Sequence, residues 1–221
     1  MRYFKLISQA IVFACINTAM AGSYEDFFLA AETNDAPALT RLLQRGFDAN
    51  TPGPNGQSGL LTAIRQNAGQ AALVLAQWPG TRVDVRTADD ETALMLAAFH
   101  NLMPVAEVLI QRQADVNKPG WTPLHYAATK AHVPMMRFLL DNHAFIDAPS
   151  PNGTTPLMMA AHYGSPMATK MLLEEGADPR LKNHLGLSAL DFAQNGPHKS
   201  ETTPYIQAFM ASWNARYPVK P

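Results

Sequence analysis

One apolar slot returns at a nearly constant interval along this chain. Phe27, Leu60, Leu94, Leu124, Leu157 and Leu190 stand 33, 34, 30, 33 and 33 residues apart. Three residues after each comes a pair led by alanine: Ala30-Ala31, Ala63-Ile64, Ala97-Ala98, Ala127-Ala128, Ala160-Ala161 and Ala193-Gln194. Further on in five copies are the apolar pairs Leu42-Leu43, Leu75-Ala76, Leu109-Ile110, Leu139-Leu140 and Leu172-Leu173. A period of this length argues against one central core. It implies short supersecondary units, each burying its apolar face against its neighbours.

The residues inside one period spell helix, turn, helix, loop. In the clearest copy, Gly120-Trp121-Thr122-Pro123-Leu124-His125-Tyr126-Ala127-Ala128, the Thr122 hydroxyl can cap a helix. Pro123 suits the first helical position, where no amide donor is needed. Asn34, Asn67, Asn101 and Gly164 fall seven residues after the slot, where a short helix is expected to end in a left-handed residue; Ala131 departs from that pattern. Pro37, Pro104, Pro134 and Pro166 follow, at the expected start of a second helix.

These residues resemble the ankyrin-repeat family. Trp121 to Ala128 carries its Thr-Pro-Leu-His core, Thr155-Pro156-Leu157 most of it, and Ala114-Asp115-Val116-Asn117 and Gly176-Ala177-Asp178-Pro179 its connecting loop. The resemblance implies an all-α ankyrin-repeat solenoid of about six helix-turn-helix repeats with capping end repeats. They are expected near 24–50, 55–86, 89–117, 120–147, 152–180 and 185–214, within a domain spanning 22–221. Departures are local: Gln113 and His143 replace the loop glycine, Phe145 the loop aspartate, and Trp78 to Arg82 inserts extra residues. Those loops are expected to be irregular.

Residues 1–21 differ in kind. Arg2 and Lys5 precede an apolar run from Leu6 to Ile16, and Ala19-Met20-Ala21 offers a cleavage site, as in a secretory signal peptide. The run, interrupted by Ser8 and Gln9, is short for a membrane span. Cys15, the one cysteine, lies within it; Val12-Phe13-Ala14-Cys15 loosely resembles a lipoprotein signal, but bulky Phe13 is wrong for that site. The expected destination is the bacterial periplasm, with a mature, monomeric chain that does not insert in the membrane. Removing Arg2 and Lys5 leaves 15 basic against 18 acidic residues, a net charge of −3, and no basic stripe points to nucleic acid.

The end copies read as caps. The first begins with Glu25-Asp26-Phe27-Phe28, acidic residues suiting a helix N-terminus. In the last, Gly196 to Ser200 stretches the turn, and a final helix from about Pro204 to Trp213 is expected to bury Ile206, Phe209, Met210 and Trp213.

No catalytic constellation stands out: the sequence has no His-Glu-x-x-His, phosphate-cradling glycine loop or Gly-x-Ser-x-Gly elbow. Neither a catalytic residue nor a cofactor is expected. Asp89-Asp90-Glu91 reads as a solvated turn before the third copy. Metal binding is not expected either: His125 and His132 occupy the family's structural histidine slots, His143, His184 and His198 fall in loops, and His100 and His162 sit two repeats apart, too far to share an ion.

What remains is a stripe of large residues that the repeat does not need for its own packing. The resemblance implies that the ends of the first helices and the turns before them line one concave face. That face would gather Glu91, Phe99, His100, Trp121, Lys130, His162 and Tyr163 on the third to fifth repeats, an expected binding site for another protein. The structural alternative is that Trp121 packs over a shortened loop and Phe99 fills a gap between helices. The expected function is a non-enzymatic interaction module or scaffold; alternatives are a toxin inhibitor or immunity protein, or a small-molecule or metal pocket of His100, His162, Tyr163 and Trp121.

Overall fold

The computed structural model describes residues 22–216; the expected signal segment with Cys15, and residues 217–221, lie outside it. The chain divides into two compact units, one up to Thr87 and one from Ala88 onward. The first contains α1 (22–32), α2 (Ala36–Gln44), α3 (Gly59–Arg65) and α4 (Gly69–Gln77). The second contains α5 (Ala93–Phe99), α6 (Met103–Gln111), α7 (Pro123–Thr129), α8 (Val133–Asp141), α9 (Pro156–His162), α10 (Pro166–Glu174), α11 (Ala189–Gln194) and α12 (Lys199–Arg216). Among the described residues there are no strands; isolated bridges include Pro52–Ser58 and Lys182–Ser188.

Local chemistry sets the start of each short first helix. Ser58, Thr92, Thr155 and Ser188 are extended N-caps whose hydroxyl oxygens accept the amide three residues on. In α5, α7, α9 and α11, though not in α3 where it is Leu61, the third helical residue returns a bond to the cap's own amide. Met95 and Met158 do so through sulfur at 3.3 and 3.4 Å, Asp191 through a carboxylate at 2.7 Å, and His125 through Nδ1 at 3.2 Å. One slot thus uses three chemistries. Thr122 departs from the expected cap: its hydroxyl lies 2.9 Å from His125 Nδ1.

The turns repeat, with one exception. Asn34, Asn67 and Asn101 take φ between 55° and 63°, and so does Ala131 at 56°, although it lacks the side chain that favours that region. Gly164 corrects the expectation of a left-handed residue, since it is not among the positive-φ positions. Its reason is space. A Cβ there would stand 2.5 Å from the Ala128 carbonyl oxygen and 2.8 Å from that of Ala160. Asn34 also ties repeats together, accepting the amides of Gln70 and Ala71 at 2.9 and 3.0 Å. It caps α4, whose own N-cap residue Ala68 has no side chain to do so.

Each second helix begins where proline permits: Pro37, Pro104, Pro134 and Pro166 stand in the first two positions of α2, α6, α8 and α10. In the second unit, α5 packs on α7, α7 on α9 and α9 on α11, while α10 packs on α8 and α12. The recurring slot makes the core: Phe27, Leu60, Leu94, Leu124 and Leu157 are buried, with Leu39, Leu75, Leu109, Leu139 and Leu172 beneath the second helices. Burying one such side chain contributes about 1.5–3 kcal/mol. Phe27 fits the first slot because Gly59 faces it; a Cβ there would come within 2.5 Å of its ring.

The loops are tied rather than loose. Asn50 reaches Gly80 and Arg82 at 2.8 Å each, pinning the inserted Trp78 to Arg82 segment. Asn117 does the same for His143 and Phe145 at 2.8 and 2.7 Å. Gln113 and His143 stand in the loop-glycine position with φ of 66°. The last helix corrects two expectations. It starts at Lys199, so Pro204 is internal, and it fully buries Thr202 and Ile206, leaving Phe209, Met210 and Trp213 half-buried.

Candidate functional site

The stripe residues stand at both ends of the second unit's first helices. Glu91 and Trp121 immediately precede the caps of α5 and α7; Phe99 and His162 close α5 and α9; His100, Lys130 and Tyr163 are the C-caps of α5, α7 and α9. The core leaves them outside. Glu91, Phe99, His100, Trp121 and His162 are half-buried, Lys130 is exposed, and Tyr163 is 56% exposed.

Phe99 is the hub. The Lys130 ammonium lies 4.4 Å from its ring centroid, His100 and Tyr126 meet the ring edge-on at 5.2 and 6.1 Å, and His132 donates through Nε2 to its carbonyl at 3.1 Å. Glu91 joins through Tyr126, whose hydroxyl donates to the carboxylate at 2.9 Å. Trp121 stands edge-on to His125 at 5.2 Å. Phe99, Trp121, His125, Tyr126, Thr129 and Met159 enclose a pocket of about 220 Å³. His162 and Tyr163 make a second pair, their rings 4.2 Å apart, with His162 Nδ1 donating to the Phe192 carbonyl at 3.1 Å.

The floor is held by His125, which is fully buried. Nε2 faces the Thr154 carbonyl oxygen at 2.9 Å, so that nitrogen carries the proton and Nδ1 accepts from the Thr122 amide. Burial lowers its pKa to about 4 despite hydrogen bonds to the Thr154 and Ala148 carbonyls that favour the charged ring. His100 is also held below its ordinary value, first by burial and then by the positive charge of Lys130 and His132.

Tyr126 and Met159 were not part of the sequence stripe, while Thr129 stands beside Lys130 at the first-helix end that the stripe follows. Tyr126, Thr129 and Lys130 are spaced as one helical face, and Met159 stands in the next repeat at the place of Tyr126. The acidic turn is exposed at Asp89 and Asp90, as expected, and it is also tied down: Asp90 pairs with the buried Lys118 ammonium, and Glu91 is bound by Tyr126. No group of three or more His, Cys, Asp or Glu side chains that could hold a metal ion occurs among the described residues. None of the described helices is long and apolar enough to cross a membrane.

Repeated pairs of short helices, the first opening at Ser or Thr, stacked through a leucine slot and tied by loop asparagines, define a helical-repeat protein. The family profile of ankyrin repeats (three copies) matches residues 27–119 and 114–183, and the chain belongs to the ankyrin-repeat family. It is 30% identical over 162 residues, 70% of its length, to the nuclear factor NF-kappa-B p105 subunit of Gallus gallus, and 35% identical over 135 residues, 60% of its length, to neurogenic locus notch homolog protein 1 of Xenopus tropicalis. The chain spans only 16% and 5% of those relatives. Among solved structures it is similar to a chain of the Bd0816 predatory endopeptidase from Bdellovibrio bacteriovorus in complex with immunity protein Bd3460. That match has 26% identity and a TM-score of 0.72, covering 83% of this chain and 97% of that one. The human ASB11 ankyrin repeat domain matches at 25% identity and a TM-score of 0.67, with the same coverage.

Proposed function

We propose that this chain is a non-enzymatic protein-binding module, exported to the periplasm, whose partner docks on the first-helix ends of the second unit. One observation carries the reading: Phe99, Trp121 and Tyr163 are all partly open to solvent, so the repeats stack without consuming them. Aromatic residues in such positions are the usual anchors of protein interfaces. The family membership supports protein binding as the activity. The 220 Å³ pocket favours it over a small-molecule site, because ligand clefts usually run from about 300 to 1,000 Å³.

Within this reading, the partner is an enzyme that the module restrains. The observation favouring it is the likeness to a chain from an endopeptidase complex with an immunity protein. The test is crosslinked capture from an envelope extract, with the native chain beside a folded Trp121→Ala/Tyr163→Ala variant. A protein bound by the native chain and lost with the variant is the expected result. Equal capture by both would reject this face as the binding surface.

A further inference from the structure

Resting on the protein-binding reading, we propose that the Phe99–Trp121–Tyr126 pocket takes one large apolar side chain, aromatic or branched aliphatic, from a partner segment with an acidic residue beside it. The space, about 220 Å³, suits a single side chain. The lining carries no charged group, and the polar side-chain groups of Thr129, His125 and Tyr126 are already bonded. The Thr129 hydroxyl donates to the His125 carbonyl at 2.8 Å, both His125 ring nitrogens are bonded, and the Tyr126 hydroxyl donates to Glu91. A polar head placed inside would lose water and find these three side chains already committed.

Three rings around one space could instead hold a cation. The surroundings of Phe99 argue against it. Lys130 already lies over its ring, His100 stands at its edge, and His132 is bonded to its carbonyl. The Lys130 ammonium repels a second cation at this ring and attracts a carboxylate, while Glu91 accepts the Tyr126 hydroxyl on the pocket's wall. Apolar centre and the Lys130 ammonium over Phe99 together specify a hydrophobic residue with an Asp or Glu on the Lys130 side.

The test is a nuclear magnetic resonance titration of the labelled protein with three capped tripeptides: Glu-Phe-Glu, Lys-Phe-Lys and Glu-Ala-Glu. Glu-Phe-Glu should shift the Trp121 indole resonance saturably; Lys-Phe-Lys should bind about threefold to fivefold more weakly, the scale of an exposed ion pair. Glu-Ala-Glu should give no saturable shift, and Lys130→Glu should reverse the order of the two phenylalanine peptides. Equal binding of those two peptides, preference for Lys-Phe-Lys, or an unmoved Trp121 would overturn the proposal. If Trp121 does not move while partner capture still depends on Tyr163, the anchor alone fails; if capture is also indifferent to the variant, the proposed binding surface fails with it.

Discussion

His125 Nε2 donates to the carbonyl oxygen of Thr154 at 2.9 Å, so one buried imidazole joins the start of α7 to the loop before α9. Its other nitrogen accepts the Thr122 amide. The ring is therefore useful only when neutral, and burial holds its pKa near 4 against an ordinary 6.5. Between those values the unfolded chain binds a proton that the folded chain refuses. Its contribution is fully present above pH 6.5 and is lost as pH falls to about 4, at ~1.4 kcal/mol per pH unit and about 3 kcal/mol in all. Urea unfolding across this range should show that slope. His125→Met, which places in α7 the thioether found at Met95 and Met158, should flatten it; an unchanged slope would reject the neutral-ring account.

Ala131, Gln113 and His143 hold left-handed backbone at φ of 56°, 66° and 66°. That conformation costs a side-chain-bearing residue roughly 1–2 kcal/mol, offset in part by the unfolded-state freedom of glycine. Ala131→Gly should therefore stabilise by about 0.5–1 kcal/mol in denaturant melts. Destabilisation would mean that its methyl makes a compensating contact.

Gly164 calls for the opposite result. A methyl would meet the Ala128 and Ala160 carbonyl oxygens at 2.5 and 2.8 Å, both fixed in helices. Gly164→Ala should cost roughly 1–3 kcal/mol or more by overpacking, despite the better helix propensity of alanine. A neutral melt would mean that the α9 turn is looser than described.

Core and surface substitutions should separate. Leu124→Ala, at a fully buried slot, should cost roughly 2–5 kcal/mol of stability. Tyr163→Ala, at a position 56% exposed, should change stability by less than about 1 kcal/mol, yet weaken an anchored partner by about 2 kcal/mol or more. Parallel melts and titrations check both; comparable losses of stability would refute the division.

The repeat itself was legible because its signals agree: the leucine slot, alanine pairs, prolines and asparagines all express one local geometry. Gly164 misled because glycine has two uses, positive φ and close approach, and only the three-dimensional position of the Ala128 carbonyl separates them. The final helix misled because Pro204 marks a helix start only when it lies in the first turn, and Lys199 to Thr203 already continue the helix before it. The stripe was visible as residues to spare. The pocket was not, since Met159 reaches it from a neighbouring repeat and looks, in sequence, like packing.

The most direct test places a photo-crosslinking amino acid at Lys130 or Tyr163, and in separate proteins at Arg137 or Glu107 on the second helices α8 and α6. In envelope extract, the account predicts one discrete adduct from Lys130 and Tyr163, reduced by Trp121→Ala, and none from Arg137 or Glu107. An adduct formed only from the second-helix positions would contradict it.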